Sequence, residues 1–235
     1  MSIADKLTTI AENEQRVYDA GKDAQWNAFW DSFQQNGNRV QYLYAFMRWG
    51  ANSFKPKYDI KPTSTAQNMF QSFGESQMES INLNAVIDAC GIEFDTSGAT
   101  NVNSMFYYSW ITEVPTISTV NSATLTTTFG QAKKLVTIEK LILKSDGSQT
   151  FSNTFQACEN LRNIVVEGVI GNNIDFSACY YLTKDSITSI INALSTTTTG
   201  KTVTFRQYAK NMAFTDASEW TTLEQKKTNW TINLV

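Results

Sequence analysis

The 235-residue chain contains no histidine. Ser-His-Asp and Cys-His catalysis and imidazole metal sites are therefore beyond its reach. Its three cysteines, Cys90, Cys158 and Cys179, are odd in number and lack CxxC spacing, which argues against a zinc site or a disulfide scaffold. Buried thiols are the expectation. Gly168 and Gly171 flank Val-Ile with no Lys-Ser/Thr behind them, so no phosphate-cradling loop is written here. No cofactor is expected. Basic residues do not exceed acidic ones, 19 against 22 for a net charge of −3, and the pI is near 5.1. The positive footprint expected of a partner to nucleic acid or an anionic membrane is missing. No apolar run of about 18 residues suggests a membrane helix. The opening MSIADKLTTIAENEQRVYDAG carries charges where a signal peptide needs an apolar stretch, so synthesis in the cytoplasm without a signal peptide is expected.

What is present is a repeated frame. Phe155, Ala157, Cys158 and Leu161 return as Phe176, Ala178, Cys179 and Leu182. Earlier anchors are Phe70, Phe106 and Phe129, and large apolar residues follow at Ile111, Leu135, Leu161 and Leu182, then at Val114, Ile138 and Ile164. Most intervals fall in the range of about 20 to 29 residues of a leucine-rich repeat. A unit of this size cannot bury its apolar side chains alone, so neighbours must stack about 4.8 Å apart. Phe129, Phe155 and Phe176 should form one ladder, and Leu135, Leu161 and Leu182 another. Stacking alone would bring Cys158 close to Cys179. The first interval holds extra residues around Asn84 to Asp95.

The frame divides the chain into three: a helical segment over 1–35, a connector with short strands over 36–63, and the repeat domain over 64–235 with a cap from about 183. In the first segment Trp26, Phe29, Trp30 and Phe33 stand at i, i+3, i+4, i+7, an aromatic stripe for capping the neighbouring domain or for homo-oligomerisation. In the cap, Thr183 is placed to N-cap a helix carrying Ile187, Ile190, Ile191 and Leu194. Asp216-x-x-Glu219 has the form of a capping box for a helix over about 217–227, and Trp230, Ile232 and Leu234 alternate as a final strand.

The F-x-x-C-x-x-L-x-x-I frame at 155–164 resembles the BspA-like leucine-rich repeats of bacterial surface and phage-associated proteins. KLTTIAENEQRVYDAGKDAQWNAFWDSFQQNGNR, FKPKYDIKPT and SIINALSTTTTGKTVTF are similar to segments of a prophage-encoded group from anaerobic gut bacteria. The resemblance implies an α/β leucine-rich repeat solenoid with a short parallel sheet. It also implies a non-enzymatic binding or structural module: a virion or host-contact protein, or else a surface adhesin. Its partner would be a protein or a cell-surface glycan.

Two groups of residues are candidates for ligand contact. If Val114, Ile138 and Ile164 point inward, then Glu113, Thr137, Glu139, Asn163 and Val165 point outward, onto the face such repeats use for ligands. Tyr107, Tyr108 and Trp110 in one unit, and Tyr180 and Tyr181 in the last, fall off the core frame and offer rigid amphipathic rings. A rival enzymatic reading, a carboxylate-dependent glycosidase, would draw on acids such as Asp88, Glu93 and Asp95.

Overall fold

The computed structural model describes residues 45–50, 54–75 and 78–235. The chain divides into two compact units, Met1–Arg39 and Val40–Val235, and the described residues all belong to the second. The helical segment over 1–35, with its aromatic stripe and its oligomerisation role, lies outside them.

The protein is α/β with parallel sheets, one of them curled into a half-barrel. The strands are β1 (Ile81–Asn82), β2 (Ile111–Val114), β3 (Ile117–Ser118), β4 (Thr137–Ile142), β5 (Asn163–Glu167), β6 (Ile174–Phe176), β7 (Lys201–Phe205) and β8 (Trp230–Leu234). The helices are α1 (Leu83–Cys90), α2 (Lys184–Ala193), α3 (Gln207–Ala213) and α4 (Ala217–Gln225). Among the described residues every strand pairing is parallel. One short sheet was expected; there are two. The first runs β1-β2-β4 with β5 beyond, and the second runs β6-β7-β8. β3 also pairs with β4, at Ile117↔Leu141, downstream of the Val114↔Ile138 pairing of β2. Pro115, which has no N–H to give a ladder, stands between β2 and β3.

The aromatic recurrence closes as a column of rings. Phe46, Phe70, Phe106, Phe129, Phe155, Phe176 and Phe205 are all nearly or fully buried. Successive ring centroids are 5.1, 5.4, 5.5, 5.5, 4.6 and 5.8 Å apart. From Phe70 to Phe155 the ring planes differ by only 5 to 7°, the offset-stacked arrangement that aromatic quadrupoles favour. Among the described residues the column starts at Phe46, upstream of the Ser64 at which the sequence frame begins. Leu135, Leu161 and Leu182 are buried, as are Val114, Ile138 and Ile164; the last three share one parallel register. The extra residues after Phe70 form α1, whose N-cap Asn82 accepts from the Ala85 N–H and whose C-cap Gly91 is left-handed.

The backbone around each early ring follows a rule that the sequence does not announce. Residues two before and two after Phe70, Phe106, Phe129 and Phe155 have positive φ: Asn68 and Ser72, Ser104 and Tyr108, Thr127 and Gln131, Asn153 and Ala157. All but Asn153 sit third in turns closed by bonds such as Met105 N–H to Val102 O and Ser109 N–H to Phe106 O, the geometry of a type II turn, which normally asks for glycine. Each left-handed non-glycine residue costs about 1–2 kcal/mol. The conformation turns alternate N–H groups toward the next coil: Ser104, Phe106 and Tyr108 donate to the carbonyls of Thr126, Thr128 and Gly130. The same triple recurs from Thr127, Phe129 and Gln131 to Ser152, Thr154 and Gln156. The hydrogen bonds these amides gain offset the strain, because an orphaned buried amide costs about 1–3 kcal/mol.

The C-terminal part is conventional. Thr183 caps α2, accepting from Ser186 N–H, and Ile187, Ile190, Ile191 and Leu194 are buried. Asp216 caps α4 through Ser218 N–H at 2.8 Å. The reciprocal half of the expected capping box is not made: Glu219 instead bonds Lys184 at 2.6 Å, where it meets a full positive charge rather than a backbone amide. Lys227 is 7% exposed and its ammonium bonds the carbonyls of Asn192 (3.2 Å) and Leu194 at the end of α2. Burial lowers its pKa.

Candidate functional site

Immediately before the Leu column each coil turns a corner on the surface. Backbone bonds tie these corners together in order: Val136 N–H to Thr112 O, Arg162 N–H to Val136 O, Thr183 N–H to Arg162 O. Two residues upstream of those four positions are Trp110, Lys134, Asn160 and Tyr181. The corners therefore build one ridge along the stack. Lys134 Nζ sits over the Trp110 ring, 5.1 Å from its centroid. Asn160 donates to Lys133 O at 2.6 Å, and Lys133 faces Glu159 at 3.8 Å. The Arg162 guanidinium lies 5.1 Å from the Tyr181 centroid. Three coil spacings make the ridge about 14 Å long.

At one end is a groove of about 430 Å³ lined by Tyr108, Trp110, Lys134 and Glu159, together with Glu75, Ser109, Gln131, Lys133 and Asn160. Tyr108 is 40% exposed and meets Tyr107 edge-on at 4.6 Å. Tyr107 itself is half-buried. It leans over Gly130 of the next coil, where a Cβ would fall 3.3 Å from its ring. Burial, then the neighbouring Tyr108, pushes the Tyr107 phenol up. Its ring packs against the neighbouring Gly130 and against the edge of Tyr108.

At the other end Tyr180 and Tyr181, both exposed, join Tyr208, whose ring is 6.2 Å from that of Tyr181. Arg206 stacks on Tyr180 at 4.4 Å and donates to its hydroxyl at 2.9 Å. The two aromatic groups expected from sequence thus occupy opposite ends of one ridge. The sequence reading missed the charged middle, Lys133, Lys134, Glu159 and Arg162, and also Tyr208. The adjacency of Lys133-Lys134 to the Leu135 core position was the available signal for the first; Tyr208 sits on α3, which has no side-chain cap and no sequence mark.

The sheet-face candidates are only partly assembled. Glu113, Thr137 and Asn163 stand in register, and Asn163 reaches the Thr137 hydroxyl at 3.4 Å. Glu139 faces outward as expected, one step along β4 from that row. Strict alternation fails just beyond it: a register shift between Ile138 and Leu141 against Ile164 and Val166 inserts one residue, so Lys140 also faces away from the core on a bulge and Leu141 turns inward. Lys140 pairs with Glu167 at 3.2 Å.

The acids of the glycosidase reading are engaged locally. Asp88 is exposed on α1, Glu93 pairs with Lys61, and Asp95 accepts from Ser97 N–H and Oγ at 2.8 and 3.0 Å. Lys61, between Glu93 and Asp59, has its pKa pushed up to about 12. Cys158 and Cys179 are buried and burial holds both thiols strongly protonated; Cys158 bonds Phe129 O at 2.9 Å. They are core side chains rather than nucleophiles. No cluster of metal-ligating side chains occurs among the described residues. None of their helices is long and apolar enough to cross a membrane.

Compared with protein-family models, with curated proteins and with solved structures, the chain has no match in any of the three.

Proposed function

We propose that this protein is a non-enzymatic recognition module, built as a leucine-rich repeat solenoid of the BspA-like kind, that binds a protein or cell-surface glycan along its corner ridge. The observation that carries this reading is the ridge itself. Trp110 and Tyr108 at one end and Tyr180, Tyr181 and Tyr208 at the other are joined by Lys134, Arg162 and Arg206, each cation set against one of the rings. Trp, Tyr and Arg are the residues that dominate binding energies at protein surfaces, and here the coil stack fixes their spacing. The Phe and Leu columns and the parallel register support the solenoid reading. The resemblance to prophage-encoded sequences favours a virion or host-contact setting, with a bacterial adhesin as the alternative.

The test is binding of the purified chain to bacterial cells and to a glycan array. A Trp110→Ala/Tyr181→Ala double variant should retain the circular dichroism of the parent and lose at least tenfold in affinity. Undiminished binding would remove the ridge from the account. Release of reducing ends from a bound glycan would replace recognition by hydrolysis.

A further inference from the structure

We propose that the groove between Tyr108, Trp110, Lys134 and Glu159 is a sugar site, and that the sugar it takes is uncharged and rich in hydroxyls. This rests on the recognition reading above and narrows it to one ligand chemistry at one end of the ridge.

The argument begins with charge. The groove carries two ammonium groups, Lys133 and Lys134, and two carboxylates, Glu75 and Glu159, which cancel. An anionic ligand would meet the carboxylates and a cationic one the lysines. A purely apolar ligand would strip water from all four without replacing its hydrogen bonds, which is costly. A polyol suits the mixture, since each hydroxyl can donate to a carboxylate and accept from an ammonium. The amides of Gln131 and Asn160 add further donors and acceptors to the same lining.

Three details point the same way. Lys133 and Glu159 stand 3.8 Å apart, too far for a tight hydrogen bond, so both keep capacity for a ligand. Ser109, 1% exposed, is one of the lining residues, and its buried hydroxyl has no partner among the described residues; buried polar groups in this condition call for a ligand or water. Trp110 holds Lys134 in place before any ligand arrives, which reduces the ordering cost of binding. The exposed ring of Tyr108, propped by Tyr107, is left to lie against the C–H face of a pyranose. The volume, about 430 Å³, is near the lower end of the usual small-ligand range of roughly 300–1,000 Å³, which suits a short stretch of a glycan.

Isothermal titration calorimetry of the full chain tests this with three probes: maltotetraose and N-acetylchitotetraose, both neutral, and tetragalacturonate, which is acidic. At least one neutral probe should bind, with a Kd that is unchanged between low and high NaCl. Tyr108→Ala, Lys134→Met and Glu159→Gln should each weaken it fivefold or more, while Lys201→Met, a charge-matched change on β7, should leave it alone. The proposal is overturned if neither neutral probe gives heat, if tetragalacturonate binds more tightly and loses affinity with salt, or if the three groove variants bind like the parent. Should it fail while the ridge double variant still loses cell or array binding, the recognition reading stands and only the ligand class falls.

Discussion

The coils of Phe70 to Phe155 and the three strands β6, β7 and β8 feed one ring column yet use different backbones. In the first region every ring is flanked by left-handed residues, none of them glycine, and bonded to its neighbour through alternate turn amides. In the second, Phe176 and Phe205 lie in an ordinary parallel ladder, Ile174↔Val203 through Phe176↔Phe205. Beyond Ala157 only Gly168 and Gly200 have positive φ among the described residues. The aromatic slot is thus the invariant and the backbone that fills it is negotiable: burial of a large ring is worth more than the strain of two turn residues.

Seven substitutions would break or sharpen that comparison. Phe129→Ala should cost about 3–5 kcal/mol, and Phe205→Ala a similar amount, with both variants unfolding in a single transition by calorimetry. Two separate transitions in Phe205→Ala would mean that the regions are independent cores. Gly168→Ala lies between the regions, with φ of +95° and a Cβ that would fall 2.4 Å from Leu143 O. Chemical denaturation should show a loss of at least about 1–3 kcal/mol.

Ala157→Gly, in the left-handed region, should be neutral or stabilising by up to about 1 kcal/mol, because glycine accepts that conformation without strain. Ala209→Gly in α3 should destabilise by about 1 kcal/mol. Equal losses at the two positions would dissolve the distinction. The smallest effect is electrostatic. Hydrogen bonds from Ser218 hold the Asp216 carboxyl below its ordinary range, so its support of α4 is fully present above about pH 4 and fades as the pH falls through the lowered folded value. The melting temperatures of Asp216→Asn and the parent should converge on acidification. In the turn region Asp146, held down by Ser148, should behave likewise when changed to Asn.

How far the sequence reached follows the same division. The apolar columns were legible because burial selects residue type: Phe129, Phe155 and Phe176 stack, and Val114, Ile138 and Ile164 align. Thr183 and the strand from Trp230 were legible because caps and alternation are local. The left-handed positions were not, since Ser104, Tyr108, Thr127 and Gln131 are not glycines and only the neighbouring coil's carbonyls compel their conformation. The β4 bulge, which leaves Glu139 outward as alternation predicts but turns Lys140 outward and Leu141 inward, depends on register with β5. The ridge was half visible: aromatic rings stand out in a sequence, whereas lysines matter only once Trp110 of the preceding coil lies beneath one.

In the turn region the amides of Phe46, Phe70, Phe106 and Phe129 all donate toward the following coil. Peptide dipoles arranged in this sense add together, whereas those in sheets largely cancel. That file of amides beside the rings therefore possesses an electrical head and tail, its positive pole directed toward the Phe155 coil, and charged groups placed at its two extremities would experience opposite potentials.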